Sequence, residues 1–516
     1  MSEGSSSNQE RNQAIRDVVK GASVVYAGLL AEVVIAFIAQ VIAARYLTTG
    51  GFGGLTVGTS MVNICGLVAS LGMASGLTRY LPRTDPPAKR ALVRTAFVSS
   101  LPVAVVMGVG IALNAEFIAS GIFGDPEVTP SIFVFGLTIP FATALNVAIG
   151  GIRGQKVSKY RVYVENFIRP IVRLSLVFAV VTVGLGQLGF ATAYAVPYAV
   201  GALVAVFYLF RVLPGILEES TLQSGSTREM TRYSLPFIVS GAAGFMYRSI
   251  DVFIVLYFLD SQAVGTYGVA YAAARLIVMF STAFNFLGAP VASELEAGEN
   301  VRDMLSVHRS VLRLLVIATI PTLIPFVLFP EAFISAVYGS KYASGSLTLA
   351  VLALGFAVHN VLDAHTSLLQ GLGRSREIAF NNILAASLNV GLNVWLIPEI
   401  GILGAALATI ASYFLVDLLM VVEVRYYVGV FPFGLTVAKP GIIAVPLLVS
   451  AFLLRDFVPG RILWIVGFTA VFGLVYIVTV LVVLGIRPEE VMLIRSLEER
   501  YGIPLGPLDA VVRRFS

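Results

Sequence analysis

About fourteen stretches of this chain stay apolar over roughly 20 residues, the length at which an α-helix crosses the ~30 Å hydrocarbon layer of a bilayer. They cover 21–46, 54–78, 92–113, 130–150, 163–184, 188–210, 234–258, 263–289, 311–329, 346–369, 379–397, 401–424, 437–454 and 462–485. No other feature limits the fold so strongly. Inside hydrocarbon, backbone N–H and C=O groups need partners within their own segment. The runs therefore predict an all-α polytopic membrane protein of about fourteen transmembrane helices. Charge content agrees: 13% of the residues are charged, against roughly 25% in a soluble protein. The lone Cys65 excludes a disulfide framework and a multi-cysteine metal site.

The connections set the orientation. Arg11, Arg16 and Lys20 precede the first run. The second connection holds Arg79, Arg83, Lys89, Arg90 and Arg94, and the fourth holds Arg153, Lys156, Lys159 and Arg161. Odd-numbered connections are poor in basic residues, and the third carries Glu116, Asp125 and Glu127. Such alternation predicts even connections and both termini in the cytoplasm of a multi-pass cell-membrane protein. The excess of +5 charges then belongs to topology and anionic headgroups, and a nucleic-acid partner is not expected.

An internal repeat divides the runs. GQLGFATAYAVPY (Gly186 to Tyr198) returns as GILGAALATIASY (Gly401 to Tyr413), with Gly186, Gly189, Ala191, Ala193 and Tyr198 falling on Gly401, Gly404, Ala406, Ala408 and Tyr413. Two parallel six-helix repeats plus two C-terminal helices are expected. The boundaries are an N-terminal lobe over 1–211, a cytoplasmic linker over 212–233, a C-terminal lobe over 234–425, two more helices over 426–485 and a cytoplasmic tail over 486–516. A tandem of similar bundles suits a transporter, because a site between halves can face either side in turn.

Ionisable side chains at membrane depth are costly and point to function. Glu32 lies in the first run, Arg248 and Asp251 three apart in the seventh, and Arg275 in the eighth. The functional reading is a hydrated cavity whose arginines hold an anion, since guanidinium pairs with phosphate bidentately. The plainer reading is internal pairing, Arg248 with Asp251 and Glu165 with Arg169. Glu165, Arg169 and Arg173, spaced by four, form one stripe for which a structural role is expected. His359 and His365 are six apart, off a common helix face, so a metal pair is not expected there. Asn382, Asn389 and Asn393 share a face and suit interhelical hydrogen bonding. No Gly-Lys dipeptide, HExxH or Gly-x-Ser-x-Gly occurs, and no cofactor, metal or enzymatic activity is expected.

Four stretches carry a resemblance: GGFGGLTVGTSMVNICGLVASLGMASGLTRYLPR (Gly50 to Arg83), IDVFIVLYFLDSQAVGTYGVAYAAARL (Ile250 to Leu276), VYGSKYASG (Val337 to Gly345) and LLQGLGRSREIAFNNILAASLNVGLNVWLIPEIGILGAALA (Leu368 to Ala408). In this order the chain resembles the lipid-linked glycan flippases of the multidrug/oligosaccharidyl-lipid/polysaccharide exporter superfamily. The resemblance implies a monomer that moves a polyprenyl-linked oligosaccharide from the cytoplasmic to the outer leaflet by alternating access. It implies a central cationic cavity, which places Glu32, Arg248, Asp251 and Arg275 beside the headgroup and Arg79 where the phosphate enters. Members rich in arginine and poor in lysine are often archaeal. There the implied carrier is dolichyl phosphate and the glycan is destined for surface-layer glycoproteins. The competing expectation is an ion-coupled multidrug antiporter of the same superfamily, which would favour acidic groups in the cavity.

Overall fold

The computed structural model describes residues 28–29, 31–215, 224–279, 301–431, 433–487 and 490–491, and the description below is of these. They are almost entirely helical and contain no strand. Eleven helices among them are long and apolar enough to cross a membrane, and a bent pair, Gly241–Ser249 with Asp251–Phe258 at 50°, makes a twelfth. The expected first and eighth runs extend into residues outside the described set, as do Arg11, Arg16, Lys20, residues 216–223 of the linker and 492–516 of the tail.

Packing gathers the described chain into two compact units. One is formed by Gly28–Val269 and Asn382–Thr409. Its helices are α1 (31–46), α2 (Thr49–Ala69), α3 (Met73–Tyr80), α4 (Pro86–Leu113), α5 (Thr129–Gly154), α6 (Ser158–Val162), α7 (Arg169–Val183), α8 (Gln187–Val212), α9 (Ser224–Ser249) and α10 (Asp251–Phe258), with the first part of α11 (Ser261–Arg275). Helix α5 is the hub and packs against α2, α3, α4 and α8. Small residues permit the approach, because lipid gives helices no hydrophobic reason to associate and close contact must supply the energy. A Cβ on Gly108 of α4 would fall 2.6 Å from the Gly136 carbonyl of α5.

The second unit is built from described residues within Ala270–Asn381 and Ile410–Ser516. It holds α12 (Val301–Val327), α13 (Pro330–Val337), α14 (Ser346–Leu362), α15 (Ala364–Gly371), and the parts of α16 (Ser375–Ile400) and α17 (Ile402–Val428) on its side of Asn381 and Ile410. Helices α18 (Leu435–Leu454) and α19 (Ile462–Leu484) complete it. Helix α12 packs on α14, α18 and α19 around Ile320, Ile324, Phe329, Phe472 and Tyr476. Beside this core, Arg313 and Glu490 form a buried ion pair at 3.0 Å.

The outward faces are apolar. Val106, Leu113, Leu463 and Val483 are exposed, as expected where the solvent is acyl chain. The two copies of the repeat each open a helix after a glycine turn. Helix α8 follows Gly184 (φ +77°), and α17 follows Gly401 (φ +63°).

Several runs that read as single helices are interrupted among the described residues, 346–369 at Asp363 and three others as follows. The run 54–78 breaks between α2 and α3, where Leu71 (φ +50°) and Gly72 (φ +68°) are left-handed. The run 163–184 opens with a π-helical turn, Tyr163–Ile168. The run 234–258 bends at Ile250. In each, hydropathy continues across the break, so composition alone does not mark it.

Candidate functional site

The break between α2 and α3 borders a cavity of about 440 Å³ that lies wholly within the first unit. Helix α5 supplies Asn146, Ile149, Gly150 and Arg153, spaced i, i+3, i+4, i+7, so that one stripe faces the void. Ser70, at the break, and Ser75, on α3, add hydroxyls. Phe237, Ile238 and Gly241 of α9 form an apolar wall. Arg161 of α6 and Glu165 of the π-turn complete the lining. Gly150 is required here: its Cβ would sit 2.5 Å from the Ala74 backbone, so any side chain would drive α3 from α5.

The electrostatics are unbalanced. Arg161 donates from Nε to Glu165, four residues on, but the pair is open to solvent and contributes little stability. The Arg153 guanidinium has no hydrogen-bond or ion-pair partner among the described residues. An exposed fork with five donors therefore borders a void of mixed lining, beside an amide and two hydroxyls and opposite an apolar wall, which suits a phosphate ester flanked by sugar hydroxyls.

The five residues singled out from sequence fall as follows. Glu32 of α1 accepts a hydrogen bond from Asn166 Nδ2. Exposed Arg79, in the last turn of α3, stacks 4.3 Å over the Tyr233 ring. Arg248 is exposed at the end of α9; its Nε donates to the Gly244 carbonyl at 2.7 Å. Asp251, 2% exposed, takes hydrogen bonds from Tyr267 Oη, the Val252 N–H at 2.9 Å and Thr409 Oγ1 at 3.3 Å. Its carboxylate thus ties α10 to α11 and α17. Arg275 is exposed at the end of α11 and belongs to the second unit. Each of the four in the first unit has a local partner of its own, and none of the four lines the 440 Å³ cavity.

The stripe on α7 is wired differently from the spacing. Glu165 turns back to Arg161, while Arg169 stacks over Tyr198 at 4.3 Å and Arg173 over Tyr194 at 4.9 Å. The π-turn inserts the register change that separates Glu165 from Arg169. In the second unit, His359 Nδ1 lies 3.0 Å from buried Asp417 and its ring stacks 4.3 Å from Tyr413. His365 meets His308 edge-on at 4.9 Å. Among the described residues no group of three or more potential metal ligands forms. Asn393 donates to Asn389 Oδ1 at 2.9 Å within α16, and Asn381, not singled out from sequence, donates to Glu423.

Sequence reasoning read Arg153 and Arg161 only as topology markers. The Asn146–Arg153 stripe was the available signal, since a polar residue and a cation one face apart at the end of an apolar run need a common void or partner.

The sequence profile of the family described as "Polysaccharide biosynthesis protein" matches residues 18–296, more than half of the chain. The chain belongs to that family. A second profile, MatE, matches residues 236–395. Among the chain's curated relatives, an uncharacterized membrane protein of Methanocaldococcus jannaschii is 22% identical over 57% of the chain and 72% of that protein. "Probable flippase AglR" of Haloferax volcanii is 22% identical over 73% of the chain and 76% of its own length. A second Haloferax volcanii protein, "Probable low-salt glycan biosynthesis flippase Agl15", is 28% identical, but the match covers only 36% of the chain and 40% of that protein. The fold is that of the solved lipid II flippase MurJ in its inward closed conformation (TM-score 0.71, 12% identity, 89% of this chain and 98% of that one). It is also that of an inward-facing multidrug resistance MATE family transporter of the MOP superfamily (TM-score 0.64, 15% identity, 79% and 98%). This family member is therefore a multi-pass membrane protein with the fold of solved flippases and transporters.

Proposed function

We propose that the chain flips a polyprenyl- or dolichyl-phosphate-linked oligosaccharide from the cytoplasmic to the outer leaflet of the cell membrane, for surface-glycan or surface-layer glycoprotein assembly. The observation that carries this reading is the exposed Arg153 guanidinium, without a partner among the described residues, at the rim of a 440 Å³ cavity of mixed polar and apolar lining. That volume lies in the roughly 300–1,000 Å³ range of small-molecule sites. By the positive-inside pattern Arg153 marks the cytoplasmic end, where a lipid-linked phosphate arrives. The carrier chains stay in the bilayer and only the headgroup needs a polar route.

The architecture that goes with this function is a monomer with fourteen transmembrane helices and both termini in the cytoplasm. Two parallel six-helix lobes, 1–211 and 234–425, are joined by the linker 212–233. Helices over 426–485 and the tail 486–516 follow. In this scheme Arg79 meets the phosphate at the inner end of α3, while Glu32, Arg248, Asp251 and Arg275 border the path in other conformations of the cycle. Exposure of Arg79, Arg248 and Arg275 supports that role; the buried partners of Asp251 suit an anchor of the path.

The MatE match over 236–395 favours one alternative, an ion-coupled multidrug antiporter. A cationic drug would meet two arginines and one glutamate in the cavity, a lining of the wrong sign. The test is reconstitution of the full chain into liposomes with fluorescent dolichyl-phosphate-linked N-acetylglucosamine and an outer-leaflet quencher. Protein-dependent exchange between leaflets that Arg153→Ala slows about ten-fold or more supports flipping. Ethidium efflux without glycan exchange would replace it by the antiporter.

A further inference from the structure

At the opposite end of α2, the acidic third connection grips helix ends that come from both halves of the repeat. Asp125 Oδ2 accepts the backbone N–H of Ser261, the first residue of α11, at 2.7 Å. Its Oδ1 accepts the Glu127 N–H at 2.9 Å. Glu127 Oε1 in turn accepts from Thr48 Oγ1 at 3.0 Å, and Oε2 from Ser261 Oγ at 3.4 Å. Thr48 is the cap of α2, its Oγ1 accepting the Gly51 N–H at 2.9 Å. The Glu127 carbonyl takes Gln187 Nε2 of α8 at 2.8 Å. One short turn thus holds the starts of α2, α8 and α11. Anions are favoured at such helix N-termini, where N–H groups lack intrahelical partners.

Beneath the turn the two backbones touch. A Cβ on Gly53 of α2 would lie 1.8 Å from the Ser261 carbonyl, and one on Gly265 of α11 would lie 2.1 Å from the Thr49 carbonyl. No side chain, water or sugar fits through a seam of that width.

We infer that Asp125 and Glu127 are gate residues: their carboxylates clasp α2 to α11 and hold the outward route shut in the conformation seen here. This rests on the flippase reading for its purpose, since the repeat read from the sequence assigns α2 to its first half and α11 to its second, and on that reading a headgroup leaving between the halves must part this seam. It also rests on the acidic connection facing outward. Both carboxylates are partly exposed, so water can replace their partners when the seam opens. The bonds of buried Asp251 have no such substitute.

The test reads accessibility without any cargo. Thr56 lies one turn below the seam on α2, its Oγ1 3.2 Å from where a Gly268 Cβ would be. Thr56→Cys in a Cys65→Ser background is the sole thiol of the chain. Full-length protein in liposomes, outward side exposed, is treated with a membrane-impermeant maleimide. With the clasp intact, labelling is slow. Glu127→Gln and Asp125→Asn each speed it about ten-fold, the shift expected for losing one charge-assisted hydrogen bond. Gly53→Ala speeds it too, by forcing the seam apart sterically. Should a variant fail to elute as folded monomer, Ser261→Ala removes a single bond to Glu127 in its place. Fast labelling of the intact clasp, or labelling unchanged in all folded variants, overturns the inference and leaves glycan exchange by the unmodified protein as a separate result.

Discussion

Tyr267→Phe discriminates between Asp251 as an anchor and Asp251 as a cavity-lining group. Tyr267 is 1% exposed and Asp251 2%, so the phenylalanine ring fills the same space and leaves no void beyond a hydroxyl. What is lost is chiefly the Tyr267 Oη donation to Asp251, together with a longer 3.4 Å contact to Thr409 Oγ1. The carboxylate keeps only the Val252 N–H at 2.9 Å and the longer Thr409 contact at 3.3 Å. A hydrogen bond to a charged group contributes about 1.5–3 kcal/mol and one between neutral groups about 0.5–1.5 kcal/mol. The variant should therefore lose about 1.5–3 kcal/mol if Asp251 is ionised and about 0.5–1.5 kcal/mol if it is neutral. Equilibrium unfolding of the purified full-length protein in mixed micelles gives the difference. Tyr194→Phe is the internal control: the buried Tyr194 hydroxyl has no hydrogen-bond partner among the described residues, so its removal should be neutral or slightly stabilising. A Tyr267→Phe loss indistinguishable from that of Tyr194→Phe would refute the anchor.

Three further outcomes are expected. Arg153→Ala should slow leaflet exchange of a dolichyl-phosphate-linked glycan by about ten-fold or more, with Arg153→Lys intermediate because an ammonium cannot bind phosphate bidentately; equal rates for all three would detach Arg153 from the headgroup. Gly404→Ala should destabilise by about 1–3 kcal/mol, since its Cβ would fall 2.5 Å from the Leu396 carbonyl. Gly391→Ala, in the same hairpin but with nothing within 4 Å, should be neutral or gain helix stability, as thermal denaturation of the two variants would report.

How much of the site was legible depended on the kind of question. The spacing of Asn146, Ile149, Gly150 and Arg153 places them on one face without any coordinates, because 3.6 residues per turn is a local property. That the face looks onto a void depends on where α3 and α9 lie. Glu165 and Arg169 show the same limit: their spacing permits a pair, yet a π-turn and the nearby rings of Tyr194 and Tyr198 settle the partners otherwise. Arg248 and Asp251, three apart in sequence, lie on either side of a 50° bend, and the acid is bound by residues 16 and 158 positions away.

Sequence alone determined that this is a helical membrane protein, roughly where most of its spans lie, and which family it joins, because span length and hydropathy answer to a uniform solvent, the hydrocarbon layer. Tertiary structure alone decided which charges are anchors, which remain open to a ligand and where two helices seal against each other. Those outcomes turn on ångström-scale approach between distant segments: a missing Cβ at Gly53 or Gly150 lets backbones meet, and only the meeting fixes what each polar group can bond.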